Sequence, residues 1–219
     1  MYKYIILDFG KVIAGPTTGD WFMTPKFLEL IDINKLNVDK YDSARKKYDK
    51  LLGEKLITQE EEYDMFTRFY DGVLSESEYP NYSKEIAKEI AYDMSYCYDK
   101  YTLYSDIFSE LDRLKEKYTL ILLTDNWPCA TNYLKENNLY DYFDKVYISS
   151  IYGAQKRDGS FFEYPIKDYD IKPGEALFID DSERNLDEAI KRGLDVYLMD
   201  RENEVTNSKH KIIHDLYIV

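Results

Sequence analysis

Histidine and cysteine are scarce here, with two of each among 219 residues. Cys97 and Cys129 lie far apart with no CxxC pair, and His210 and His214 both fall near the C-terminal end. A His-rich zinc site or a Ser-His-Asp triad is therefore poorly supported. The cysteine spacing reads as reduced, partly buried thiols rather than a disulfide framework. No apolar run approaches the ~18 residues of a transmembrane helix. The start of the chain lacks the pattern of a signal peptide, so the expectation is a cytoplasmic protein. Positive charge is short as well. Lys plus Arg total 29 against 42 Asp plus Glu, a net charge of −13. That balance argues against nucleic-acid backbones and anionic membranes as partners. An anionic substrate would need positive charge supplied locally by its site.

What the chain does hold is a set of short apolar runs, each ending in a polar residue. "YIIL" (Tyr4 to Leu7) runs into Asp8, "LILL" (Leu120 to Leu123) into Thr124, and "ALFI" (Ala176 to Ile179) into Asp180 and Asp181. Unbroken runs of this length read as strands buried on both faces of a parallel sheet. In open α/β sheets the carboxyl edge of such strands is where ligands bind. Two further strands are expected at Lys145 to Ser149 and Asp195 to Met199. Helical patterns lie between them. Residues 104–118 place Ile107, Leu111 and Leu114 on one stripe with Ser105 as a possible N-cap, and "ATNYLKENN" follows Pro128. In 182–193, Ser182 suits the N-cap, Leu186, Ala189 and Ile190 form the stripe, and Gly193 suits the C-terminal turn. Strands alternating with helices predict an α/β fold, a doubly wound Rossmann-like parallel sheet.

The stretch from about Gly15 to Asp99 differs. It carries no convincing buried strand and reads as amphipathic helices broken near Gly53, Gly72 and Pro80. These fit either surface helices of one domain or a helical cap inserted after the first strand. The 23 tyrosines are spread along the chain, which reads as a compositional habit; with Trp21 they suit core packing or a pocket lining equally in kind.

Four elements in order carry a resemblance: "ILDFGKVI", "LLTDN", the lysine loop "SSIYGAQKRDGSFF" and "ALFIDDSERNLDEA". Together they resemble the haloacid dehalogenase-like hydrolase superfamily, most of whose members are magnesium-dependent phosphatases. The resemblance implies an α/β catalytic core over residues 1–14 and 100–219, with an inserted α-helical cap over 15–99. It implies a small phosphorylated substrate, such as a sugar phosphate, and Mg²⁺ as cofactor.

By that resemblance Asp8 is the nucleophile and forms an aspartyl-phosphate. Asp8, the backbone carbonyl of Gly10 and Asp181 would ligate Mg²⁺, a hard cation that favours oxygen donors. Thr124, Asp125, Asn126 and Lys156 would surround the phosphate, with Lys156 neutralising both nucleophile and phosphoryl group. Asp180 would stand behind the ligands or pair with Lys156, and Asn185 would sit further out. Two positions depart from the pattern. Asp125 replaces a common asparagine and is expected to turn away and cap the following helix. Arg157 stands where proline is usual.

A third departure is Gly10, at the place where many of these phosphatases carry a second aspartate that protonates the leaving oxygen. Glycine marks a "DxGxV" branch that includes sugar-phosphate phosphatases. It leaves two other readings open: a catalytically impaired binding or regulatory protein, and a 2-haloacid dehalogenase, whose halide leaves without a proton.

Overall fold

The computed structural model describes residues 2–217. In chain order the elements begin with β1 (Tyr4–Leu7), β2 (Ala14–Pro16), α1 (Pro25–Leu30), α2 (Val38–Tyr48), α3 (Gln59–Glu76), α4 (Lys84–Tyr96) and β3 (Tyr101–Leu103). They continue with α5 (Ile107–Lys115), β4 (Thr119–Thr124), α6 (Cys129–Glu136), β5 (Lys145–Ile148), α7 (Ser149–Tyr152), α8 (Glu163–Asp168), β6 (Ala176–Asp180), α9 (Glu183–Ile190), β7 (Asp195–Met199) and β8 (Lys211–Ile213). Contacts divide them into two compact units. One comprises residues 2–15, 103–126 and 130–217; the other comprises 16–102 and 127–129. No helix among the described residues is long and apolar enough to cross a membrane.

The first unit is built on a six-stranded sheet of order β5-β4-β1-β6-β7-β8, with every neighbouring pair parallel. The expected Rossmann-like α/β core is thus present. Its three central strands are the three apolar runs. Ile5, Ile6 and Leu7, Leu120 to Leu123, and Ala176 to Ile179 are all buried. Burying each such side chain is worth ~1.5–3 kcal/mol, enough to hold a strand with both faces covered. One face packs Ile6, Ile121, Leu123 and Phe178 against Phe161, Phe162, Leu186 and Leu194.

Several local expectations are corrected. The helix over 104–118 is only Ile107–Lys115, and its N-cap is Asp106 rather than Ser105. In α9, Leu186 and Ala189 are buried, but Ile190 is 48% exposed, so the apolar stripe is narrower than its sequence. The terminal segment contributes β8 upstream of the apolar "LYIV", of which Ile218 and Val219 lie outside the described residues. The short strands β2 and β3, which pair in a separate two-stranded sheet, carry too few residues for a period to show.

In the second unit, α1 to α4 enclose a core that includes Phe27, Tyr41, Phe66, Phe69, Tyr70 and Ile90. Helix α3 starts with a capping box. The Thr58 side chain accepts the Glu61 backbone N–H, and the Glu61 carboxylate accepts that of Thr58. This satisfies two N–H groups that the first helical turn leaves open. Gly72 does not break the chain. It sits buried within α3, where an added Cβ would lie 2.3 Å from the Tyr48 ring. Glycine here lets two helices approach. Nearer the start of the same helix, Glu62 is fully buried, and its Oε2 accepts the Cys129 backbone N–H at 2.8 Å. Lys100, also buried, donates to the Met94 carbonyl and lies 3.7 Å from the Cys129 Sγ. Both cysteines are free, Cys129 buried and Cys97 partly so. In this unit Asp20 accepts from the Phe22 and Met23 backbones and pairs with Arg45, and Lys26 pairs with Glu29.

Candidate active site

Strand register assembles the site. Leu7 stands opposite Leu122 on one side and Ile179 on the other, and Thr124 stands opposite Ile148. Asp8, Thr124 and Asp180 therefore emerge at one edge of the sheet, from its three central strands. The Asp8 backbone N–H still donates to Ile179 O at 3.0 Å, so the carboxylate leaves from a position held by the sheet. Beyond it the chain turns sharply. The N–H groups of Ile13 and Ala14 both donate to Phe9 O, Lys11 N–H donates to Ala14 O, and Gly10 bridges to Ala14. Lys11 takes a left-handed conformation in this turn, with φ of 53°.

Lys156 is the hub. Its side chain is 1% exposed, and its Nζ lies 2.7 Å from Asp8 Oδ1 and 2.6 Å from Asp180 Oδ2. The Asp180 contact is a directed hydrogen bond; the Asp8 contact is an ion pair. Three devices fix the loop that delivers this lysine. Gly153, at φ 66°, ends α7 by donating to Ser149 O. Gly159, at φ 82°, follows Lys156, and a Cβ there would meet the Arg192 guanidinium at 2.1 Å. Phe161 and Phe162 are buried in the core beneath.

Asp125 is a fourth anchor, and it corrects an expectation. Its carboxylate does not cap the following helix. It accepts the Lys156 backbone N–H, at 3.2 Å to Oδ1 and 3.4 Å to Oδ2. The Asp125 carboxylate is a strut for the lysine loop. Ser182 differs as well. It occupies the N-cap position of α9 without a side-chain cap bond, and its N–H donates to Asp180 Oδ1 at 2.8 Å. Asn185 donates to both oxygens of Asp180, at 3.1 and 3.2 Å. Asp180 is thus saturated with donors and holds Lys156 in place.

Asn126 closes the strand end. Its N–H donates to Ser149 Oγ at 3.1 Å, and its carbonyl receives the Ser149 hydroxyl and the Ser150 N–H, each at 3.3 Å. Thr124, 2% exposed, precedes it. Ser149 carries no motif of its own in the sequence. Its place at the end of a strand beside the "LLTDN" strand was the available signal.

Burial is the largest influence on both charged partners of the hub. It raises the Asp8 carboxyl well above the usual carboxylate range; Lys156 pulls it back, while Asp180 and Asp181 push it further up. On Lys156, burial opposes the charge, but Asp180, Asp8 and Asp125 outweigh it and hold the ammonium above its ordinary value. One buried ammonium thus faces several carboxylates. Asp8, Asp180 and Asp181 each present an oxygen within 4.8 Å of the others, Asp181 from an exposed position, and the group could hold a metal ion. All-oxygen donors with an excess of negative charge suit a hard divalent cation.

A family model described as haloacid dehalogenase-like hydrolase matches residues 23–191. A curated relative, the D-ribitol-5-phosphate phosphatase of Bacteroides thetaiotaomicron, is 34% identical over 80 residues, 33% of this chain; the match spans only 39% of that relative's length. Among solved structures, a HAD hydrolase from Bacillus subtilis bound to magnesium superposes with a TM-score of 0.71 at 15% identity, over 98% of this chain and 95% of that one. A HAD family enzyme from Bacteroides thetaiotaomicron, solved as a variant with magnesium and inorganic phosphate, gives 0.65 at 20% identity over 94% and 98%. At these identities the structural likeness bears on the fold alone.

Proposed function

The chain belongs to the haloacid dehalogenase-like hydrolase family, and from that premise we propose that it is a magnesium-dependent phosphatase of a small phosphorylated metabolite, a sugar or polyol phosphate. The observation that carries this reading is the clamp on Lys156 between Asp8 and Asp180. It leaves one carboxylate, Asp8, at the end of a central strand beside a fixed positive charge, the arrangement a phosphoryl-transfer nucleophile requires.

In this mechanism an Asp8 oxygen bonds to phosphorus as the ester oxygen departs, leaving an aspartyl-phosphate. Water then attacks that phosphorus, phosphate leaves, and the Asp8 carboxylate returns. Lys156 faces the equatorial oxygens, with the Thr124 hydroxyl and the backbone that follows it donating to them. Asp125, Asp180 and Asn185 position Lys156 rather than touch the substrate. Asp8, Asp181 and the Gly10 carbonyl would hold Mg²⁺, which when bound supplies the charge that lets a carboxylate approach a phosphate. Residue 10 has no proton to give, so the departing oxygen takes its proton from solvent or from the substrate's own hydroxyls. The ribitol-phosphate phosphatase relative supports a polyol or sugar phosphate. On this reading the helical unit selects the substrate.

The test is phosphate release from a panel of polyol phosphates, sugar phosphates and p-nitrophenyl phosphate, with Mg²⁺ and with chelator. The expected outcome is metal-dependent release by the wild type and none by Asp8→Asn. A folded, Mg²⁺-binding wild type that releases phosphate from no substrate would favour the binding-protein reading, to which Gly10 points. Metal-independent halide release from 2-haloacids would favour the dehalogenase reading.

A further inference from the structure

The chemistry above makes no use of Lys11. This residue adopts a left-handed backbone, φ 53°, which glycine or asparagine tolerates better than other residues. Its side chain borders a cavity of about 160 Å³ on the same sheet edge as the acidic cluster, and Asp181 lines that cavity too. The other charged groups facing it are Asp200, Arg201, Glu202 and Glu204. Most are occupied by the fold. The Arg201 guanidinium donates to Val12 O and pairs with Asp106 at 2.6 Å. The Asp200 carboxylate accepts the N–H groups of Glu204 and Val205, both at 3.0 Å. Glu204 faces solvent. Glu202 remains, with its Oε2 3.6 Å from the Lys11 Nζ. Burial and the Asp180 charge push the Asp181 carboxyl up, and Lys156 and Lys11 pull it back down.

We propose that Lys11 is a charge-setting residue of the metal site: its ammonium, on the cavity it shares with Asp181 and paired with Glu202, opposes the divalent cation that the acidic cluster attracts and keeps that ion loosely bound and exchangeable. The inference rests on the metal reading given under the proposed function. Like charges repel across the partly exposed cavity, so removing one should tighten cation binding about three- to tenfold at low ionic strength, and added salt should erase the difference.

The test is calorimetric titration of Mg²⁺ and of Mn²⁺ into the full chain, comparing wild type with Lys11→Asn, Lys11→Gly and Lys11→Arg at low and high salt. Asparagine and glycine both accept the left-handed backbone, so they remove the charge without straining the turn. The expected result is tighter binding by both neutral variants, wild-type affinity in Lys11→Arg, and convergence of all four at high salt. A purely structural role would move the melting temperature and leave the salt dependence unchanged. Lys11→Asn affinity within twofold of wild type or weaker, Lys11→Arg behaving like Lys11→Asn, or a gain undiminished by salt would overturn the proposal with the metal reading intact. A wild type that binds neither ion would overturn both.

Discussion

Glutamine differs from glutamate by one heavy atom, and at position 62 that substitution tests how a buried carboxylate is tolerated. Glu62 has no exposed surface. Burial pushes its pKa up from 4.5 to about 7, against the opposing pull of the Cys129 thiol and backbone and of Lys100. A folded-state pKa above the unfolded value means that the native protein holds a proton the unfolded chain has released. Stability is then undiminished below about pH 4.5, falls as pH rises toward 7, and levels off above it. The difference of about 2.5 pH units, at 1.36 kcal/mol each, is about 3 kcal/mol. Glutamine keeps an acceptor for the Cys129 N–H but adds an amide that needs a partner, a cost of about 1–3 kcal/mol if unmet. That cost is the same at every pH. Urea denaturation of Glu62→Gln and wild type, in chelator, at pH 5 and at pH 8 separates the two effects. Asp8 titrates upward as well, so the wild type alone is ambiguous and the gap between the two proteins is the quantity to follow. It should move by about 2.5 kcal/mol in favour of the variant between the two pH values, since at pH 5 the unfolded carboxyl is already mostly ionised. A gap that stays constant would show that Glu62 keeps an ordinary pKa in the fold, and the reasoning would be wrong.

Replacing Lys156 by methionine should destabilise the protein by about 3–5 kcal/mol, because Asp8 and Asp180 are left as buried, uncompensated carboxylates; urea midpoints measure it, and added Mg²⁺ should recover part of the loss. Gly72→Ala places a methyl group 2.3 Å from the Tyr48 ring and should cost about 1–3 kcal/mol. Thermal melts check it, and trimming Tyr48 to leucine in the same chain should return much of the loss.

The sheet was legible because its central strands need nothing but burial. An unbroken run such as "LILL" has one comfortable environment, and the polar residue that ends it marks the functional edge. Asp8, Thr124 and Asp180 could be placed at strand ends from residue type and order, whereas the lysine loop was named only through its resemblance to the family pattern. Features set by another part of the chain were hidden. Gly72 looks like a helix breaker until Tyr48 is seen against it. Glu62 sits in the acidic run Glu60 to Glu62, which reads as a solvated face; only the position of Cys129 shows that one of the three is enclosed. Asp125 was misread for the same reason. Its partner is a backbone N–H thirty-one residues away, and no local pattern encodes that. Ile190 shows the opposite failure, since an apolar stripe one residue wider than the core surface leaves its last member in water.

Asp8, Asp125, Lys156, Asp180 and Asn185 all belong to the sheet unit. The clamp they form therefore owes nothing to the helical unit's sequence. The groups that fix Lys156 are drawn from residues 2–15, 103–126 and 130–217, so a substitution within residues 16–102 removes none of them.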